Sequence, residues 1–311
     1  MEKIGVIGCG TMGHSIALNA AWAGFEVIMQ GVDSSDLERG NRLMLEKLDV
    51  LIENDLVTSD EGKMIVKRIE QTTKIENVAK YATFIIEAIP ENIELKQAIF
   101  KRLDYLCTED IVLASNTSAL SPTDIAALTN HPERVVIAHF WHPAHLIPLV
   151  EIVRGEKTND VTVNKSLEVM KQMNKKPIEV KKEAPGFVGN RLQFALLREA
   201  QHILEEGIAT KEDIDAAVTY SIGRRLPITG PILSADMGGL DVYTDIANYL
   251  NKDLSTKETA AESMEKLVEN NKFGNKTGEG YYKWDKITSE KINKLREEEL
   301  IKYLKKDLEL S

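Results

Sequence analysis

The first thirty residues change character three times. The apolar run in "KIGVIG" gives way to glycines at 8, 10 and 13, then to a helical apolar pattern carrying Ala17, Ala20 and Ala21, then to the apolar "FEVIM". That order predicts a strand, a tight turn, a helix and a second strand. Runs of strand character recur at "TFIIEAI", "IVLASNT" and "RVVIAHF", each followed by helix or loop, and "LVEIVRG" and "KPIEVKK" add two more. Alternation of this kind predicts an α/β fold with a mostly parallel, doubly wound sheet. From Val50 to Thr73 the chain is polar with helical spacing, which predicts a helical hairpin inserted between strands. Beyond "KKEAPGFVGNRL" the pattern turns wholly helical, through "RLQFALLREAQHILEEG", "TKEDIDAAVTYSIG", "LDVYTDIANYL" and a charged run from Ser289. Thr210 to Asp213 has the T-x-x-D form of a helix start. The boundary therefore falls near Ala184 to Gly186, giving residues 1–184 as the α/β domain and 185–311 as an all-helical domain.

Composition narrows the class. A chain of 311 residues, 43% apolar and 28% charged, holds two domains that can each bury a core. No apolar run is long enough to span a bilayer, and the first strand begins at the N-terminus, so a cytoplasmic, membrane-free protein is expected. A net charge of -10 argues against nucleic acid as a partner. Cys9 and Cys107 give no disulfide framework and read as structural thiols.

Gly8, Gly10 and Gly13 have the spacing G-x-G-x-x-G. In a dinucleotide-binding βαβ unit the first glycine makes the turn, the second lets backbone approach the pyrophosphate, and the third allows close packing of helix on strand. The helix N-terminus offers unpaired N–H groups to phosphate. Gly8, Gly10, Thr11, Met12 and Gly13 are accordingly the candidate cofactor cradle, against the alternative of a bare glycine-rich turn. Such sites usually end their second strand with an acid for the adenosine ribose. Here the strand ends in Gln30 and Gly31.

Ligands of doubly wound sheets sit beyond the carboxyl ends of the strands. Three of those ends carry polar groups: Glu91 and Lys96 in "EAIPENIELK", Ser115 to Ser118 in "SNTSAL", and His139 in "AHFWHP". Glu151 lies in the apolar "PLVEIV", where a carboxylate is costly without a partner. His139 is the natural one, with Glu151 orienting the ring and raising its basicity for removal of an alcohol proton. Spacing alone leaves this reading level with a strand-capping histidine and a solvent-facing glutamate.

The ordered set G-x-G-x-x-G, "EAIPEN", "SNTS", "HFWHP", "PLVE", "PGFVGNRL" and "GNKTGEGYY" resembles the L-3-hydroxyacyl-CoA dehydrogenase family over essentially the whole chain. The resemblance implies an NAD-dependent oxidoreductase with a Rossmann domain and a helical domain that forms a homodimer. It implies His139 as the catalytic base, Glu151 as its partner carboxylate, and Ser118 and Asn190 as donors to the substrate oxygen. Glu91, Lys96 and Asn116 match groups lining the cofactor site, and Lys276 matches a lysine that approaches the cofactor. The bland reading of Asn190 is a helix cap.

The chain departs from the family pattern in three places. His142 stands where "HFFNP" has Asn, and the resulting triplet His139, His142 and His145 suggests zinc; Pro143 spoils a helical register and no fourth ligand is evident, so no metal is expected. Pro148 in "PLVE" replaces a basic residue of many acyl-CoA members and resembles the gulonate 3-dehydrogenase and carnitine dehydrogenase branches. The hairpin carries few cations, namely Lys47, Lys63, Lys67 and Arg68. Arg224 and Arg225 are either a bidentate clamp for a substrate carboxylate or a solvated pair. The leading expectation is NAD-linked oxidation of a 3-hydroxyacyl-CoA. A free 3-hydroxy acid is the first alternative and a non-catalytic dinucleotide-binding protein the second. With Gly31 at the acid's position, Asp33 is the candidate ribose contact for NAD; NADP, contacted by Ser34, Ser35 or Arg39, is the alternative.

Overall fold

The computed structural model describes residues 2–309; Met1, Leu310 and Ser311 lie outside the described residues. The chain forms two compact units, one from the residues up to Val188 together with those from Arg296 on, the other Gly189–Leu295.

In the first unit, β1 (Lys3–Ile7) leads through α1 (Gly13–Trp22) to β2 (Glu26–Gln30). Then come α2 (Ser34–Glu53), α3 (Ser59–Lys67) and β3 (Ile69–Thr72). α4 (Ile75–Tyr81), β4 (Phe84–Glu87), α5 (Ile93–Leu106) and β5 (Val112–Ser115) continue the alternation. A short α6 (Pro122–Ile125) precedes β6 (Val135–Phe140), β7 (Leu149–Arg154), α7 (Asp160–Gln172) and β8 (Lys176–Val180). The eight strands form one sheet in the order β3-β2-β1-β4-β5-β6-β7-β8, and β6 with β7 is its antiparallel pair. The order reverses between β1 and β4, which is where doubly wound sheets take their ligands.

The sheet is fed by strands buried on both faces, as a parallel sheet with helical layers requires. β4, β5 and β6 are buried along their whole length, and α1 is buried from Gly13 to Ala21. Small residues on α1 let it lie close against the sheet, with Ile16 and Leu18 filling the core beside Val6, Phe84 and Ile86. Fully burying side chains of this size is worth about 1.5–3 kcal/mol each.

The hairpin differs in extent from its sequence reading. α2 starts at Ser34, capped by Asp33, and Ile69–Thr72 is a strand paired parallel with β2. Its residues are only half-buried or exposed, so the apolar signature of a strand is missing at this sheet edge. α3 is closed by a Thr58–Glu61 capping box.

The second unit consists of α8 (Gly189–Glu205), α9 (Lys211–Ala217), a π-helical turn at Val218–Ile222 running into α10 (Gly223–Arg225), then α11 (Pro231–Gly238), α12 (Leu240–Leu250) and α13 (Glu262–Glu269). Thr210 caps α9 by accepting from the Asp213 amide, as its motif predicts. The final helix, α14 (Lys286–Glu309), corrects the expected assignment of the whole C-terminal segment to the helical domain. From Arg296 on it belongs to the first unit, where Ile301 and Leu304 are buried in the core. The abundance of Lys and Glu around those two residues masks them in the sequence. No helix among the described residues is long and apolar enough to cross a membrane.

Candidate active site

The glycine turn is built as its spacing requires. Gly8 has φ +95°, a conformation L side chains rarely adopt, and a Cβ on it would stand 2.8 Å from the Ala88 carbonyl oxygen. A Cβ on Gly13 would lie 1.8 Å from the Gly8 carbonyl oxygen, so helix and strand can meet only at glycine. At Gly10 nothing lies within 4 Å of the Cβ position, and Thr11 beside it is exposed. A backbone with clearance at the second glycine, leading into the N-terminus of α1, fits a dinucleotide diphosphate.

Across the reversal point, the antiparallel register sets His139 of β6 directly opposite Glu151 of β7. Nδ1 of the histidine lies 2.8 Å from Oε2 of the glutamate, with both residues buried. An ionised carboxylate only accepts, so Nδ1 carries the proton and Nε2 presents its lone pair. Two further donors hold Glu151: the Trp141 indole N–H on Oε2 at 3.2 Å and the Val188 amide on Oε1 at 2.9 Å. The His139 ring is flanked by Trp141 and Phe187, with ring centroids at 5.6 and 5.5 Å. Sequence reasoning passed over Trp141 because an aromatic at that position reads as packing; the indole N–H is what distinguishes it from Phe.

The loop after β5 places Ser118 on the surface, and Glu91 shapes that loop. Its Oε1 accepts from the Thr117 hydroxyl and from the Ser118 and Ala119 amides, the latter two at 3.2 and 3.3 Å. Asn116 is occupied within the sheet, its side-chain oxygen accepting from the Phe140 amide at 2.9 Å. Lys96 is buried rather than lining an accessible surface. Its Nζ donates to Glu87 Oε1 at 2.7 Å and lies 3.4 Å from Glu91 Oε2. Burial pushes the Glu87 carboxyl above its usual range, and the Lys96 ammonium and Ser115 hydroxyl pull it back. Glu87 is thus the chief partner of the Lys96 ammonium, which would be far too costly alone at that depth, and Glu91 lies within ion-pair range of it.

The other two histidines of the triplet have separate surroundings. His145 is buried and pairs through Nδ1 with the Ser15 hydroxyl of α1 at 2.9 Å; burial depresses its pKa to about 3. His142 is exposed and its pKa is lowered, chiefly by desolvation and then by Arg296 and Lys47. His14, which the sequence reading missed, donates from Nδ1 to the Gly10 carbonyl at 2.7 Å and stiffens the glycine turn.

Asp33 is exposed, and its Oδ1 accepts from the Asp36 amide and the Ser35 hydroxyl as the N-cap of α2. In the second unit, Asn190 lies in the first turn of α8, half-buried; Lys276, Arg224 and Arg225 are exposed, with the Arg224 guanidinium 5.1 Å from the Tyr220 ring centroid.

Comparison with known proteins matches residues 3–184 to the model of the 3-hydroxyacyl-CoA dehydrogenase NAD binding domain and residues 186–284 to that of the C-terminal domain. The chain is 37% identical to a 3-hydroxybutyryl-CoA dehydrogenase of Clostridioides difficile, over 91% of this chain and 100% of that protein. It is 35% identical to the 5-formyl-3-hydroxy-2-methylpyridine 4-carboxylate 5-dehydrogenase of Mesorhizobium japonicum, over 91% and 90% of the two chains. A crystal structure of an enzyme of that activity, an NAD+ dependent dismutase, matches with a TM-score of 0.90, 33% identity and 97% of each chain. For the (S)-3-hydroxybutyryl-CoA dehydrogenase of Ralstonia eutropha the TM-score is 0.77 at 34% identity, covering 92% of this chain and all of the other.

Proposed function

The chain belongs to the 3-hydroxyacyl-CoA dehydrogenase family of NAD-dependent oxidoreductases, and from that premise we propose that its substrate is a small carboxylic acid without coenzyme A, oxidised at a carbon that bears hydrogen and a hydroxyl group, either a secondary alcohol or the hydrate of an aldehyde. The observation that carries this choice of substrate is the likeness in shape to the pyridine carboxylate dehydrogenase, at a TM-score of 0.90 over 97% of both chains, against 0.77 for the hydroxybutyryl-CoA enzyme. The cations of the hairpin point the same way. Lys47 faces Glu297 and Arg68 donates to the Ala21 carbonyl, while Lys63, in an exposed pair with Asp60, and Lys67 stay on the surface, so only two of the four are drawn into the protein. A coenzyme A tail brings phosphates that call for cations.

A 3-hydroxyacyl-CoA substrate is the second reading. It is favoured by the 37% identity to the Clostridioides difficile enzyme along its entire length.

In either case the chain's own residues divide the work alike. Gly8, Gly10, Thr11, Met12 and Gly13 hold the dinucleotide, which when bound supplies the acceptor for the hydride leaving the hydroxyl carbon. His139 takes the hydroxyl proton on Nε2. Glu151 stabilises the imidazolium that results, and Trp141 and the Val188 amide keep the carboxylate in place. The family resemblance supports Ser118 and Asn190 as donors to the substrate oxygen and Lys276 as a lysine near the cofactor, and within the first unit Glu91 fixes the loop that carries Ser118. Arg224 and Arg225 are the candidates for the free carboxylate. A second copy of the chain pairs through the helical domain; this is supported by its exposed apolar side chains, among them Phe194, Ile232, Met237 and Tyr249. Sedimentation at equilibrium tests it, and a monomer at micromolar concentration would contradict it.

The substrate is tested by NADH formation on a panel of free hydroxy acids and free formyl acids beside 3-hydroxybutyryl-CoA. Turnover of a free acid with no activity on the thioester supports the first reading, and the reverse pattern establishes the second.

A further inference from the structure

The end of β2 lacks the acid that dinucleotide folds place there, and Gly31 cannot simply be given one. A Cβ on Gly31 would meet Leu37 Cγ at 2.8 Å and Cys9 Sγ at 3.1 Å, and the residue is buried. A different carboxylate comes to this spot from α2. Asp36 turns back so that its Oδ2 accepts from the Val32 amide at 3.1 Å and from the Cys9 thiol at 3.0 Å. Its Oδ1 accepts from Arg39. Cys9 lies between the first two glycines of the turn, and Val32 follows Gly31, so the carboxylate is tied at once to the glycine turn and to the end of β2. Burial, reinforced by Asp36, raises the Cys9 thiol to about 12, which keeps it protonated and a donor. The Asp36 side chain is 15% exposed, whereas that of Arg39 is 55% exposed. Between glycine turn and second strand end is where the adenosine ribose hydroxyls of a bound dinucleotide lie.

Resting on the dinucleotide reading above, we infer that Asp36 sets a preference for NAD over NADP, by presenting its carboxylate to the ribose hydroxyls and by holding Arg39 away from a 2′-phosphate. One residue thereby does both halves of the discrimination: it attracts two hydroxyls, repels a phosphate, and neutralises the cation that would welcome it. Asp33, expected from sequence to take this part, caps α2 through Oδ1, which accepts from Ser35 and Asp36, and the variants below separate the two acids.

The test is direct binding of NADH and NADPH to the full chain, read by nucleotide fluorescence, for the wild type and for Asp36→Ser, Asp36→Asn, Asp33→Asn and Asp36→Ser with Arg39→Ala. The asparagine variant preserves the acceptor for Val32 and so guards against misfolding, which thermal melting monitors. Wild type should bind NADH at least tenfold more tightly than NADPH. Both Asp36 variants should shift that ratio toward NADPH by at least tenfold, the added Arg39→Ala should take the gain away, and Asp33→Asn should leave the ratio unchanged. Folded Asp36 variants that bind NADH and NADPH in the wild-type ratio would overturn the inference, as would a shift produced by Asp33→Asn. Wild-type protein that binds neither nucleotide would overturn the dinucleotide reading itself.

Discussion

Exchange of Glu151 for Gln removes a charge from the centre of the site while keeping its shape. The carboxylate is fully buried, 2.8 Å from the His139 ring, and accepts from Trp141 and Val188 as well. An opposite charge at this range favours the charged form of a titrating group by about 1–3 pKa units, which is about 1.4–4 kcal/mol. The imidazolium that forms as His139 takes the hydroxyl proton loses that stabilisation in the variant. At tenfold for each 1.36 kcal/mol, kcat should fall by roughly 10- to 1000-fold. The amide oxygen can still accept from His139 and Trp141 while its NH2 faces the Val188 N–H, a loss of about 1–3 kcal/mol that the fold should survive. Glu151→Ala is a harsher change, because it strands the Trp141 and Val188 N–H groups in a buried space, at a cost of about 1–3 kcal/mol for each unsatisfied group. The assay is kcat from NADH absorbance, with NADH affinity and melting temperature measured alongside. The reasoning would be refuted by folded Glu151→Gln protein that keeps its full kcat.

Other changes test the frame around this pair. Gly13→Ala should abolish NADH binding, measured by fluorescence titration, because its Cβ would sit 1.8 Å from the Gly8 oxygen. Gly31→Asp, which restores the usual acid on paper, should instead destabilise the protein by about 1–3 kcal/mol in urea unfolding, the range for forcing atoms into a packed site; undiminished stability would contradict the crowding by Leu37 and Cys9. For pH, the folded pKa of His145 is depressed from 6.5 to about 3 by burial, so the unfolded chain binds the extra proton between those values. The stability present above about pH 6.5 should therefore fall away at up to about 1.4 kcal/mol per pH unit from this residue as the pH drops toward 3. His14 and His142 act in the same direction, and urea titrations at pH 7 and pH 5 that gave equal stability would contradict this sign.

The parts legible in the sequence were those whose chemistry is written in residue type and short spacing. The glycine turn, the alternation of strands and helices, and the burial of a carboxylate in "PLVEIV" all reflect local constraints. The contact of His139 with Glu151 was half legible, since a buried acid needs a partner, but only the antiparallel register of β6 and β7 brings the two opposite each other. Residues whose part depends on distant elements were not legible. Lys96 read as a ligand-facing cation, yet Glu87 and the end of β4 draw it inward. Asp33 read as a ribose contact from its spacing alone, whereas its place as the N-cap of α2 shows only once the helix start is known. Strand β3 escaped because an edge strand with little burial has no apolar pattern to show. The return of α14 to the first unit depends on two apolar side chains among many charges.

The central claim is that His139 accepts the proton of the substrate hydroxyl as hydride departs, and His139→Gln tests it most directly. NADH formation from the best substrate of the free acid and thioester panel should drop by about 10²–10⁴-fold, the usual worth of a positioned general base, while NADH still binds with wild-type affinity. Turnover by the His139→Gln protein at the wild-type rate would contradict the account.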